Sequence, residues 1–163
     1  MSASSSSSFS SSPSSDLLAR TVRYCALSNL HAFDGIEAMI SADDASTCVY
    51  GSVGRHNIMA GMRDFFLKYT SVYWEYTEFR LYDEKSVEFD FARYWTDATT
   101  GRVMVADAAE VIEYDAVGNI VKIYYTRLPS EMREYGADYP ATQEQQMVAA
   151  RKAVEETSKL YVL

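Results

Sequence analysis

The sequence predicts one α+β domain, and three observations lead to this fold class. Helical patterns occupy the first half of the chain, strand patterns follow one another in the second half, and short polar turns separate the strands. Helices segregated from a run of antiparallel strands define the α+β class, in which the helices lie across one face of a curved sheet. The 163 residues are enough for one such domain with a hydrophobic core.

The chain opens with a serine-rich segment, residues 1–15, that we expect to be disordered. It contains eleven serines and only one bulky apolar residue, Phe9, so it cannot bury enough surface to offset the entropy of ordering. A transit peptide is the alternative, but such peptides carry arginine, and none occurs before Arg20. The ordered domain is therefore predicted to begin near Asp16.

Three helices are predicted before the sheet. Asp16 is a favourable N-cap for a first helix that runs to about Leu30. Asp34 and Glu37 resemble a capping pair that starts a short second helix. After a β-prone run at 47–50, a third helix places a set of apolar residues on one face: Ile58, Met62, Phe65, Phe66 and Tyr69.

Four strands and a C-terminal extension follow. The strand patterns are rich in aromatic and β-branched residues, and they cover residues 72–82, 87–96, 102–114 and 120–127. The domain is expected to span residues 16–128. Residues 129–163 form the extension, in which Thr142 with Gln145 resembles a capping box for a last helix. This helix is expected to lie on the domain surface or against a second subunit.

Composition excludes several classes of partner. The net charge of −8 repels nucleic-acid phosphate and anionic lipid headgroups, and no apolar run approaches the roughly 20 residues that cross a bilayer. Cys25 and Cys48 have neither CxxC nor a regular disulfide spacing, which favours a reduced, cytoplasmic protein. We expect neither nucleic acid nor a membrane as partner.

Three motifs give the chain a resemblance to a known family. They are the helix end at Asn29–Asp34, the helix entry at Gly54–Ile58 and the hairpin at Tyr114–Ile120. Their order and spacing are similar to those of the SnoaL-like branch of the nuclear-transport-factor-two-like (NTF2-like) superfamily. The resemblance implies a cone-shaped curved antiparallel sheet with three N-terminal helices on its concave face, an enclosed apolar pocket, and a homodimer formed through the outer sheet face. It does not imply one reaction, because members include cyclases, isomerases, dehydratases, epoxide hydrolases and non-catalytic modules.

Enzymes of this fold work mostly by acid–base catalysis, so we searched for ionisable groups at inward positions. Asp107 is the first candidate, since small apolar residues flank it on a predicted central strand. The alternative is that Asp107 faces solvent or meets Arg93 or Arg102. Asp90 is a weaker candidate because its strand neighbours at period two suggest a solvated face, and His56 is another because it follows a glycine turn.

Aromatic side chains are the candidate ligand contacts. Tyr50, Trp74, Tyr94 and Tyr125 belong to an aromatic set that suits either the wall of a pocket for a flat ring or a dimer interface. No HxH, HxxxH or CxxC pair occurs, so neither a metal site nor a cofactor is predicted.

Two functions remain open from the sequence. The first is a domain that binds a small apolar or aromatic molecule in an enclosed pocket, with cofactor-free acid–base catalysis of the isomerase, cyclase or dehydratase type as its chemistry. The alternative is a non-catalytic dimerisation or assembly module of the same fold. The sequence leaves open whether the protein is an enzyme.

Overall fold

The computed structural model describes residues 12–49 and 51–161. Within them the elements follow the predicted order of three helices, four strands and a last helix, with a short additional strand before it. Their bounds are α1 Pro13–Asn29, α2 Phe33–Met39, α3 Arg55–Lys68, β1 Tyr73–Asp83, β2 Ser86–Thr96, β3 Val103–Tyr114, β4 Ile120–Arg127, β5 Arg133–Gly136 and α4 Gln143–Thr157. This architecture confirms the predicted α+β class.

The first helix begins four residues earlier than predicted, with Ser12 rather than Asp16 as its N-cap. Ser12 caps it, its hydroxyl accepting from the Ser15 N–H, and Pro13 occupies the first turn, where a missing N–H costs nothing. Asp16 therefore lies within the first turn. Most of the predicted disordered segment lies outside the described residues.

The second helix also lacks the predicted cap. It begins at Phe33 after Ala32, with no side-chain cap, and Asp34 lies exposed in its first turn. In the β-prone run at 47–50, the described residues 47–49 form no regular strand, and Thr47 makes isolated bridges to Val53 and Lys122. Tyr50 lies outside the described residues.

The sheet is a meander whose strands agree with the sequence prediction to within one residue at each end. Strands β1 to β4 pair in chain order, all antiparallel, and β5 joins the same edge of β3 beyond the end of β4. A bulge interrupts the β1–β2 register between Thr77 and Arg80, where Glu78 has a φ of 53°. Such a bulge bends the strand and raises its twist, which suits a curled sheet.

The inner face of the sheet meets the first three helices in one hydrophobic core. On β3 this face carries Ala106, Ala108, Ile112 and Tyr114, and it packs against buried residues of α1, α2 and α3. Because side chains alternate along a strand, Glu110 projects from the same inner face.

The outer face divides into an apolar half and a charged half. Tyr73, Tyr94, Val103 and Val105 form a small cluster, and the chain's own Tyr139 and Met147 pack on it. The Tyr139 hydroxyl also forms a 2.7 Å hydrogen bond with Thr96. The charged half carries ion pairs: Arg80 with Glu88 at 2.8 Å and with Asp90 at 3.2 Å, and Lys85 with Glu113 at 2.7 Å.

The C-terminal extension returns to the helical side of the domain. Helix α4 packs on α1, where Ala150 and Thr157 are buried, and Tyr161 lies between the guanidinium groups of Arg20 and Arg23. Thr142 forms no capping bond, and its hydroxyl donates to Glu75 of the sheet. No helix within the described ranges has the length and apolar character needed to cross a membrane.

Candidate functional site

A cavity lies between the helices and the inner face of the sheet. Its helical wall comes from Tyr24 and Ser28 of α1 and from Met62, Phe65 and Phe66 of α3. These positions face inward because each helix presents one apolar stripe to the sheet. A water molecule's centre can move through about 50 Å³ of the cavity, which is room for a few waters at roughly 10–15 Å³ each.

The sheet side of the cavity is also mainly aromatic. Trp74 and Tyr76 of β1, Phe91 of β2, and Ile123 and Tyr125 of β4 line it. The ring of Trp74 stacks on that of Tyr76 at 6.3 Å between centroids. Flat rings thus line several sides of the cavity, and such ring faces pack favourably against planar, mainly apolar groups.

Glu110 of β3 contributes a carboxyl group to the lining of the cavity. It stands opposite Phe89 of β2 and Tyr125 of β4 in the sheet register. Burial among apolar neighbours raises the pKa of Glu110 to about 8, against the lowering effect of the Arg93 charge. About nine-tenths of Glu110 is therefore protonated at pH 7, so that it can donate a proton and its conjugate base remains accessible.

Arg93 lies on the neighbouring strand, next to the same cavity. Only 8% of the residue is exposed, and its guanidinium lies 5.0 to 5.2 Å from the ring centroids of Phe65, Tyr69 and Trp95. Its Nε is buried and has no hydrogen-bond partner among the described residues. The aromatic ring faces therefore stabilise the positive charge of Arg93, while its Nε–H has no hydrogen-bond acceptor among the described residues.

Two further groups, the Tyr76 hydroxyl in the cavity lining and the Cys25 thiol nearby, stay neutral at neutral pH. Burial raises the pKa of Tyr76 and of Cys25 well above their ordinary values, and each also feels the charge of Glu110. The Ser28 hydroxyl donates to the Tyr24 carbonyl at 3.0 Å. Within the described ranges, His, Cys, Asp and Glu side chains form no cluster of three or more that could hold a metal ion.

The structure places the predicted residues at different distances from this cavity. Trp74 and Tyr125 line it. Tyr94 lies on the outer face, stacked on Tyr73 at 5.1 Å. His56 is exposed in the first turn of α3, and Tyr50 lies outside the described residues.

The two aspartates also point away from the cavity. Asp107 alternates with the inward Ala106 and Ala108, and its carboxylate pairs with Arg133 at 2.8 Å. Asp107 therefore takes the outward position that was its alternative in the sequence, although its ion-pair partner is Arg133 rather than Arg93 or Arg102. Asp90 faces outward as well, where burial alone would raise its pKa but Arg80 and Arg127 hold it below its ordinary value.

Sequence reasoning missed Glu110, although a signal for it exists. Counting by two from Ala106 reaches Ala108, Glu110, Ile112 and Tyr114, so one carboxyl group falls on an otherwise apolar face. The signal is hidden because the outer positions Val103, Val105, Ala109 and Val111 are apolar and buried too.

Comparison with solved structures identifies the fold. An NTF2-like protein of unknown function from Exiguobacterium sp. 255-15 matches with a TM-score of 0.58 and 21% identity, over 69% of this chain and 98% of that one. The chain has the NTF2-like fold. The epoxide hydrolase/cyclase-like enzyme SalBIII, described for pyran ring formation in the polyether salinomycin, is also similar, with a TM-score of 0.64 and 16% identity over 75% of this chain and 98% of the enzyme.

A Δ5-3-ketosteroid isomerase from Mycobacterium sp. has the NTF2-like fold as well. It matches with a TM-score of 0.58 and 11% identity, over 74% of this chain and 98% of the isomerase. No family model matches the sequence, and no curated protein matches it.

Proposed function

We propose that the protein binds a small ring-bearing molecule in the NTF2-like cavity and transfers a proton on it, with Glu110 as the acid or base. One observation carries the proposal: a carboxyl group whose pKa lies near 8 projects into a cavity walled by aromatic rings. A pKa near the working pH gives useful amounts of both the proton donor and the proton acceptor. The reaction class is an isomerisation, cyclisation or dehydration that needs no redox step.

Similar proteins support this reaction class without defining it. Solved structures with this fold include the epoxide hydrolase/cyclase-like enzyme and the ketosteroid isomerase, and also a protein described as a putative polyketide cyclase from Xanthomonas campestris. The identities are between 11% and 16%, so the argument rests on the cavity of this chain.

The alternative function, an assembly module, has less surface to act through than the sequence suggested. It relied on an exposed aromatic outer face, and the chain covers one part of that face, around Tyr73 and Tyr94, with Tyr139 and Met147. A homodimer stays part of the proposal, and a dimer across the uncovered half would bury ion pairs together with Tyr82 and Tyr124. Light scattering decides this, because a dimer has twice the chain mass of 18.4 kDa.

Proton exchange on a simple ring ketone tests the proposed chemistry. Cyclohexanone in D2O exchanges its α-hydrogens slowly, and proton NMR follows the exchange. We expect the protein to accelerate it and Glu110→Gln to reduce the acceleration by at least about 100-fold, the usual contribution of a general acid or base.

Asp107→Asn is the matched comparison on the same strand. Asp107 lies on the outer face, so this variant is expected to keep the activity of the unmodified protein. If Asp107→Asn lost the activity and Glu110→Gln kept it, Asp107 rather than Glu110 would be the catalytic acid or base. The absence of acceleration by the unmodified protein would contradict the proposed chemistry.

A further inference from the structure

Arg93 lies where the cavity approaches the surface. A surface depression beside α3 shares Phe65, Arg93 and Tyr125 with the cavity, and it also contains Lys68 and Asp64. A molecule that enters the cavity from this depression therefore meets the residues that the two share, Arg93 among them.

The surroundings of Arg93 leave a hydrogen-bond donor without an acceptor. A guanidinium has five N–H donors in one plane and keeps its charge at any physiological pH. The rings of Phe65, Tyr69 and Trp95 offer their π faces to the charge, but a ring has no lone pair for Nε, which is buried without a partner among the described residues. A buried donor in this state favours any ligand that brings an acceptor.

Glu110 is not the missing acceptor, since the Arg93 Nε has no partner among the described residues, and Glu110 does not neutralise the Arg93 charge near neutral pH either. Its carboxyl group is mainly protonated there, and the buried Tyr76 and Cys25 are neutral, so Arg93 supplies a net positive charge to the cavity. Other acidic side chains of β2 and β3 form ion pairs on the outer face of the sheet. Asp90 pairs there with Arg80, and Asp107 pairs with Arg133. The inside of the cavity is thus electropositive in a chain with a net charge of −8.

We propose that the natural ligand is a cyclic or aromatic carboxylic acid, whose carboxylate accepts hydrogen bonds from Arg93 while its ring lies among the cavity aromatics. This inference rests on the proposed function for the location of the ligand and deepens it by naming the substrate class. A carboxylate has two oxygens in one plane, so it can accept two parallel hydrogen bonds from the planar guanidinium, whereas a single polar atom cannot. The ring then lies towards Glu110, where the proton is moved.

The test compares two ligands of the same shape, benzoate and benzamide, by isothermal titration calorimetry at pH 7 and constant salt. Benzoate carries the charge that Arg93 is proposed to bind, and benzamide does not. We expect the dissociation constant of benzoate to be at least about tenfold lower than that of benzamide, as for a hydrogen bond between charged groups. This comparison uses the unmodified protein and therefore needs no variant to fold.

Variants of Arg93 then test whether this residue causes the preference for benzoate over benzamide. Arg93→Met keeps the apolar stem and is expected to remove the preference for benzoate, whereas Arg93→Lys is expected to retain part of it. Arg102→Met is the control, because Arg102 is exposed and pairs only with Glu134 at 2.7 Å among the ion pairs of the described residues. It should bind benzoate as the unmodified protein does.

The outcomes separate this inference from the proposed function. Equal binding of benzoate and benzamide, or an unchanged preference in a folded Arg93→Met variant, would overturn the carboxylate proposal and leave proton transfer on a neutral ring standing. Failure of both ligands to bind would overturn the carboxylate proposal as well. The cyclohexanone exchange then reports separately on Glu110.

Discussion

Glu110 shows how one position sets the chemistry of this cavity. A carboxyl group in water ionises near pH 4.5, but among apolar side chains the charged form loses its hydration and the pKa rises to about 8. The proton that Glu110 keeps at neutral pH is both the proposed catalytic proton and a source of pH-dependent stability.

This linkage gives the first prediction, on the free energy of unfolding. Between pH 4.5 and 8 the unfolded carboxyl loses its proton while the folded one keeps it, so unfolding becomes easier as the pH rises. The contribution of Glu110 is complete below its unfolded pKa and is lost as the pH approaches 8, by on the order of 1 kcal/mol per pH unit.

Glu110→Gln isolates this contribution because glutamine has nearly the same shape and no charge. Relative to the unmodified protein, the variant should gain stability steadily from pH 5 to pH 8 in urea unfolding. A stability difference that does not change with pH would mean that Glu110 titrates normally in the folded protein.

The sequence predicted two of the aromatic residues that line the cavity, but it did not predict which carboxyl group enters the cavity. Trp74 and Tyr125 line the cavity as the aromatic set suggested, because large rings on alternating strand positions are informative about a face. Asp107 and Glu110 are both carboxylates on an apolar strand, and the sequence cannot separate them while both faces of β3 are buried. Only the strand register distinguishes the inner carboxyl from the outer one.

At the scale of elements, Asn29 ties the backbone of the edge strand β1 to the end of α1. Asn29 is buried, its amide donates to the Trp74 carbonyl at 2.9 Å, and its oxygen accepts from the Trp74 N–H at 2.8 Å. The amide thereby replaces a neighbouring strand at this point of the sheet edge, and it holds the tryptophan that lines the cavity.

We predict that Asn29→Ala destabilises the protein by roughly 2–4 kcal/mol, because two buried backbone groups lose their partner. Asn57→Ala is the control, since Asn57 is exposed and donates one bond to the Val53 carbonyl at 2.9 Å. It should cost no more than about 1 kcal/mol. Equal losses in chemical denaturation would show that the Asn29 bonds contribute no special stability.

Element boundaries were predictable where local chemistry decides them. The strands were located to within one residue because polar turns mark their ends. Helix starts were less accurate, since Ser12 with Pro13 competes with Asp16 as a cap and only the folded backbone selects between them. Strand β5 carried no strand signal, because its residues are mostly exposed and it forms by pairing with β3.

At the scale of the whole molecule, the C-terminal extension changes what the sheet presents to solvent. Tyr73 and Tyr94 would be exposed on a bare sheet, but they are buried beneath the segment that carries Tyr139 and Met147. The same extension then brings α4 onto α1. One chain thus covers part of a face that the sequence analysis had assigned to a second subunit.

We predict that replacing Tyr139 and Met147 together by alanine increases self-association, because it uncovers aromatic surface. Light scattering at several concentrations measures the change in average mass. Tyr82→Ala is the control, since Tyr82 is already exposed and lies outside the cluster. An unchanged mass in the double variant would indicate that the extension does not shield the outer face.

The central claim is that a protonated Glu110 occupies the aromatic cavity at neutral pH, and carbon-13 NMR of the glutamate carboxyl groups tests it most directly. The signal of Glu110 is assigned by its loss in Glu110→Gln, and its chemical shift is then followed from pH 4 to pH 10. The structure predicts a titration midpoint near 8. A midpoint near the ordinary value of 4.5 would contradict the account, since Glu110 would then be a fully charged group at neutral pH.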